Sequence, residues 1–85
     1  MGSYRVSVRA SAERELRAVP KTHLRLLMEK VKRLAEDPRP HQCEKLSGED
    51  RYRIRQGDWR VVYSVDDTLK QVVVVKVGHR REVYR

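Results

Sequence analysis

Between Arg51 and Tyr63 the chain reads RYRIRQGDWRVVY, with apolar residues alternating with arginines on both sides of Gly57-Asp58. A Gly-X pair flanked by alternating segments signals a two-residue β-hairpin, because glycine at the first central position supplies the positive φ of a type II′ turn. With Gly57 and Asp58 as the loop, Gln56 opposes Trp59, Arg55 opposes Arg60, Ile54 opposes Val61, Arg53 opposes Val62 and Tyr52 opposes Tyr63. Tyr52, Ile54, Trp59, Val61 and Tyr63 then share one face. Arg51, Arg53, Arg55, Arg60 and Ser64 share the other, with Val62 as its apolar exception. A slip of one residue would destroy this sorting, so the pattern fixes the register. The same register sets Arg55 directly across from Arg60, and opposed like charges destabilise a ladder. Such crowding implies that a polyanion lies over the arginine face.

The remaining 72 or so positions must supply a core that covers the other face, and they do so sparingly. The 85 residues make one domain, 1–85, with 38% charged and 39% hydrophobic side chains, and 20 Lys+Arg against 12 Asp+Glu leave a net charge of +8. That excess favours an anionic partner, nucleic acid before acidic protein, although a basic solvated surface accounts for composition alone equally well. Cys43 is the one cysteine, which excludes an internal disulfide and fits a reducing compartment. No apolar run approaches the roughly 20 residues of a membrane span, and no signal-peptide core stands at the N-terminus, so a cytoplasmic protein without membrane association is expected.

Tyr4, Val6 and Val8 alternate with Arg5 and Ser7 as in a half-buried first strand. Ser11 is placed to cap a short helix with Glu13 and Glu15 in its first turns and Ala12, Leu16 and Val19 as its apolar stripe. Pro20 ends that helix and opens a second, in which Leu24, Leu27, Met28, Val31, Leu34 and Ala35 follow the 3.6-residue period. Asp37-Pro38-Arg39-Pro40 stops it and begins a polar loop expected to run to Asp50. His41, Cys43 and Glu44 in this loop have no spaced second pair elsewhere, so no metal site is expected. Asp66-Asp67-Thr68 turns the chain, and Val72 to Val77 forms a last strand whose four consecutive valines imply an inner strand covered on both faces. Gly78 is expected to break that strand and turn His79, Arg80, Arg81 and Tyr84 toward the arginine face. Together the two helices make an αα-hairpin that could cover one face of a sheet whose strand order the pattern leaves open.

Guanidinium groups bind phosphate bidentately and stay charged at physiological pH. Phosphate binding alone is not cleavage: attack by a 2′-hydroxyl also needs proton transfer and stabilisation of the developing charge. Histidine titrates near neutrality, and cations around a tyrosine favour its phenolate, which makes His79 and Tyr84 candidates for that task. The alternatives are a hydrogen-bonded structural histidine and a tyrosine that only packs. Trp59 could stack on a base, but its parity places it with the core.

The segments Lys45-Leu46-Ser47-Gly48, Tyr52-Arg53-Ile54-Arg55, Gly57-Asp58-Trp59-Arg60-Val61-Val62-Tyr63 and Val77-Gly78-His79-Arg80-Arg81-Glu82-Val83-Tyr84 resemble the RelE/ParE superfamily of toxins, and its RelE branch in particular. The resemblance implies an α+β fold, a mainly antiparallel four-stranded sheet with an N-terminal strand and a two-helix hairpin packed on one face. It also implies a toxin of a type II toxin-antitoxin system that cuts mRNA in the ribosomal A site by metal-independent 2′-hydroxyl attack, with no cofactor. It implies Arg53, Arg55, Arg60, Arg80 and Tyr84 as catalytic residues, His79 and Arg81 as possible assistants, and Arg51 and Lys45 as RNA-binding positions. The implied partners are a cognate antitoxin, the ribosome and mRNA, with DNA reached only through an antitoxin complex. Where lysines can stand in the family this chain has Arg53 and Arg55, and arginine does not act as a general base. A ParE-like toxin that inhibits DNA gyrase by protein contact is the alternative the same fold supports, and a plain RNA-binding module is a third.

Overall fold

A computed structural model describes residues 3–46 and 50–80. The hairpin forms in the register the alternation requires: β3 (Arg51–Gln56) pairs antiparallel with β4 (Trp59–Asp66), each residue from Arg51↔Ser64 to Gln56↔Trp59 meeting its expected partner. Gly57 has φ 61° while Asp58 stays at negative φ, as the first central position of a type II′ turn demands. The other elements are β1 (Arg5–Val8), α1 (Ala10–Leu16), α2 (Lys21–Arg33), β2 (Glu44–Lys45) and β5 (Gln71–His79). They assemble into a five-stranded sheet of order β1-β5-β4-β3-β2, parallel only where β1 meets β5.

The fifth strand corrects the expected count. Glu44-Lys45 carries no alternation from which a strand could be read; what makes it one is the free edge of β3, which pairs Glu44 with Arg53 and Lys45 with Tyr52 and whose Arg51 carbonyl accepts from the Leu46 N–H at 2.8 Å. The loop expected to run unbroken to Asp50 is therefore divided. Helix α1 also begins without the expected Ser11 cap. Arg9 is its N-terminal boundary residue with no side-chain cap, because the Arg9 N–H is still held by the Val74 carbonyl at 2.9 Å while its own carbonyl accepts the first helical bond from Glu13.

Both helices cover one face of the sheet, α1 over β5 and α2 over β3. Ala12, Leu16, Val19, Leu27, Val31 and Leu34 pack there against Tyr52, Ile54, Val61, Tyr63, Val65, Val72, Val74 and Val77, with Trp59 and Met28 half-buried at the margin. The valine run is inner in the sheet but is covered by helices on one face only. Tyr63 pairs with Val74 and Val62 with Lys76, so Val75 is an extra residue in a β-bulge. The bulge restores the phase: without it strict alternation from Val72 and Val74 would carry Lys76 into the core, whereas Val77 enters it instead. Val75 joins Val62, Val73 and Leu46 in a small apolar patch on the open face. Gly78 does not break β5, which continues to His79 because Gly78 still pairs with Arg60 and His79 with Trp59.

One polar cluster ties the sheet to the loop after α2. Arg39 clasps Asp67 through two hydrogen bonds of 3.1 and 2.9 Å, donates through Nε to the Tyr52 hydroxyl at 2.8 Å, and lies over the Tyr52 ring; Tyr4 donates to Asp67 at 2.6 Å. The Arg39 guanidinium first, and then the Tyr4 hydroxyl, hold the Asp67 carboxyl down to about 2 from its ordinary 3.8. A carboxyl depressed by folding stabilises the fold above its unfolded pKa and loses that contribution as protons reach it. Wild-type protein is thus expected to be more heat-stable than Asp67→Asn above pH 4, with the gap closing between about pH 4 and pH 2. Thermal unfolding of both across that range checks this; a gap unchanged at pH 2 would assign the effect to something other than the carboxylate charge.

Candidate nucleic-acid interface

The face of the sheet away from the helices carries the arginines. Alternation along β3 sends Arg51, Arg53 and Arg55 outward, and the ladder sets Arg60 beside Arg55. Arg60 is 9% exposed, unusual for an arginine, and its Nη1 donates to the carbonyls of Gly57 at 2.9 Å and Trp59 at 3.2 Å. The hairpin turn thereby fixes the guanidinium against the sheet. Its Nε is buried without a hydrogen-bond partner among the described residues. Burial first, then Arg55 and Arg53, and more weakly Arg80, disfavour its charge, with Asp58 opposing them. Several cations therefore converge on one site.

Glu44 is the residue that sequence reasoning missed. From the edge strand it reaches across to both neighbours, one carboxylate oxygen bonded to Arg53 Nη2 and the other 3.4 Å from Arg55 Nη2. Its cross-strand pairing with Arg53 was the available signal, but that pairing is visible only once β2 is recognised. Arg53 is largely covered, whereas Arg55 and Glu44 are about half exposed. On the far side of Arg55, its carbonyl accepts from Lys30 at 2.7 Å, and a cavity of about 100 Å³ opens among Lys30, Arg33, Gln42 and Arg55.

His79 is placed differently from the expectation. Because β5 continues through Gly78, His79 takes the parity of Trp59 and sets its ring edge-on to the indole, 5.6 Å between centroids. It stands on the helix-covered side of the ladder and is not turned onto the arginine face. Arg80 is held by its own N–H, which donates to the Asp58 carbonyl at 2.7 Å, and its guanidinium lies 3.9 Å from the Asp58 carboxylate. This places it at the hairpin tip beside Arg60. Arg51 joins the outer face, while Lys45 opposes Tyr52 and so has the parity of the covered face. Arg81 and Tyr84 lie outside the described residues. Tyr63 is no substitute for Tyr84 in proton transfer: it is fully buried, donates to the Pro38 carbonyl at 2.7 Å, and burial pushes its phenol far above the usual range.

This sheet, with its cationic open face, has close counterparts. Residues 6–84 match the model of the ParE toxin family of type II toxin-antitoxin systems. The chain belongs to that family. Among solved structures it is similar to the isolated Escherichia coli RelE toxin, at 33% identity over 96% of this chain and 92% of that one with a TM-score of 0.81. It is also similar to RelE in the archaeal RelE-RelB complex of Pyrococcus horikoshii, at 31% identity, 95% and 99% coverage and a TM-score of 0.80. A chain of the intact Escherichia coli RelBE complex matches at 28% identity, 91% and 96% coverage and a TM-score of 0.81. A comparison with curated protein sequences finds no match. The chain is thus a toxin of the RelE/ParE superfamily with a RelE-like fold.

Proposed function

We propose that this toxin is a ribosome-dependent endoribonuclease that cleaves mRNA in the A site by attack of a 2′-hydroxyl on the adjacent phosphodiester. The observation that carries the reading is the convergence of Arg53, Arg55 and the buried Arg60 on one open face of the sheet. A desolvated guanidinium with an orphaned Nε costs stability, on the order of 1–3 kcal/mol for the unmet donor, and such a cost is typical of a functional position. Arg53 and Arg55 bind the phosphate, and Arg60, pre-set by the turn carbonyls, stabilises charge developing on its oxygens. Arg80, at the hairpin tip, assists the leaving oxygen. Tyr84 orients the 2′-hydroxyl or helps to remove its proton, and Arg81 is the alternative to Arg80; His79 serves mainly to hold the tip through Trp59. Arg51 extends the RNA-binding face, and Lys45 contacts RNA only from the strand margin. No metal or other cofactor enters this scheme.

A cognate antitoxin is the second proposed partner, since the relatives from Pyrococcus horikoshii and Escherichia coli were solved in complexes with RelB. Cytoplasmic action follows from a ribosomal substrate, and among the described residues no helix is long and apolar enough to cross a membrane. Tyr84→Phe is expected to lower A-site cleavage at least tenfold while ribosome binding persists, measured by toe-printing of an mRNA on translating ribosomes. Unchanged cleavage would remove Tyr84 from the mechanism. The matched family's ParE description favours one further reading, inhibition of DNA gyrase by protein contact. Absent A-site cuts together with inhibited supercoiling would decide for it.

A further inference from the structure

We infer that Glu44 is the resident occupant of the Arg53–Arg55 anion site, and that substrate phosphate must displace it. The carboxylate places one oxygen on each guanidinium, the arrangement two non-bridging phosphate oxygens would take across the same pair. A phosphate that bridges the same pair competes with Glu44 for these two Nη2 groups. Displacement costs more at Arg53, which is largely covered, than at the half-exposed Arg55, and it is open to Glu44 because that residue is itself half exposed on a two-residue edge strand paired only to β3. Glu44 also relieves the repulsion between Arg53, Arg55 and Arg60 that the register imposes, so the empty face tolerates its own charge.

This inference rests on the nuclease reading for the identity of the displacing anion, an RNA phosphodiester. Its consequence is selectivity. An internal carboxylate at fixed high effective concentration outcompetes dilute free polyanions, whereas an mRNA held on the ribosome presents its phosphate at comparable effective concentration and replaces it. The guard thus biases the toxin toward ribosome-held RNA.

A 2′-O-methyl trinucleotide, which lacks the nucleophile and cannot be cleaved, reports occupancy directly by fluorescence anisotropy. Glu44→Gln is expected to bind it roughly tenfold more tightly than wild type, from lost repulsion at short range. Glu36→Gln, which removes one negative charge from an exposed position after α2, is expected to change affinity less than about twofold. Unchanged or weaker binding by Glu44→Gln, or equal tightening by both variants, overturns the guard. If Glu44→Gln fails to fold, Glu44→Asp, whose shorter arm cannot span both guanidiniums, must show the same tightening to a lesser degree, and its absence overturns the guard as well. Toe-printing of the wild type keeps the two readings apart. Tightening without A-site cuts retains the guard as an anion gate and removes the nuclease; A-site cuts without tightening do the reverse.

Discussion

Arg60→Lys is expected to reduce A-site cleavage by about 100-fold to 1,000-fold, the loss typical of deleting one pre-organised donor to a developing oxyanion, with ribosome binding little changed. The substitution keeps the charge, so the prediction isolates geometry. The guanidinium is locked through Nη1 by two backbone carbonyls of the hairpin turn, which leaves Nη2 as the donor to offer a phosphate. An ammonium on a flexible stem can satisfy those carbonyls or meet the phosphate, but has no planar fork with which to do both. Lysine is also more strongly hydrated, which raises the cost of burial at a position only 9% exposed. The variant's cleavage rate by toe-printing and its affinity for ribosomes by sedimentation are the two measurements. Equal loss of both would make Arg60 a docking residue, and unchanged cleavage would remove it from the chemistry.

Much of this site was legible in the linear pattern, for a reason specific to hairpins. Once the Gly57-Asp58 turn is placed, a period of two dictates which of residues 51–64 share a face, and the observed pairing of Arg55 with Arg60 follows without tertiary information. What was not legible depends on partners distant in sequence. Glu44 is informative only beside Arg53, and its strand exists because β3 has an edge to pair with. Gly78 reads locally as a breaker, yet the ladder to Arg60 carries the strand through it, and that one difference moves His79 to the opposite face from the one expected. The bulge at Val75 is likewise invisible in a run of four valines. The arginines that share the open face were therefore readable, the Glu44 counter-charge beside them was not, and the face taken by His79 depended on a register set elsewhere.

The same contrast can be tested where the period is helical. Leu26 and Leu27 are neighbours in α2, but only Leu27 belongs to the stripe with Leu24, Val31 and Leu34; it is fully buried, whereas Leu26 is 44% exposed. Leu27→Ala removes methyl groups from the layer packed beneath β3 and leaves a cavity in a core with few large side chains, at a cost of about 2–5 kcal/mol. For a domain of this size that corresponds to a fall in Tm on the order of 10–30 °C, and it consumes much of the roughly 5–15 kcal/mol that holds such a domain folded. Leu26→Ala trades partial apolar exposure for a better helix former and is expected to stay within about 0.5 kcal/mol of wild type. Urea unfolding of the two variants measures both. A Leu27→Ala loss below about 1 kcal/mol, beneath the usual range for a buried leucine, would mean that α2 is not seated on β3 as described. Because Lys30 reaches the Arg55 carbonyl from the same helix, α2 also buttresses the arginine strand. Leu27→Ala is accordingly expected to lower cleavage even at temperatures where it remains folded, whereas Leu26→Ala leaves cleavage unchanged.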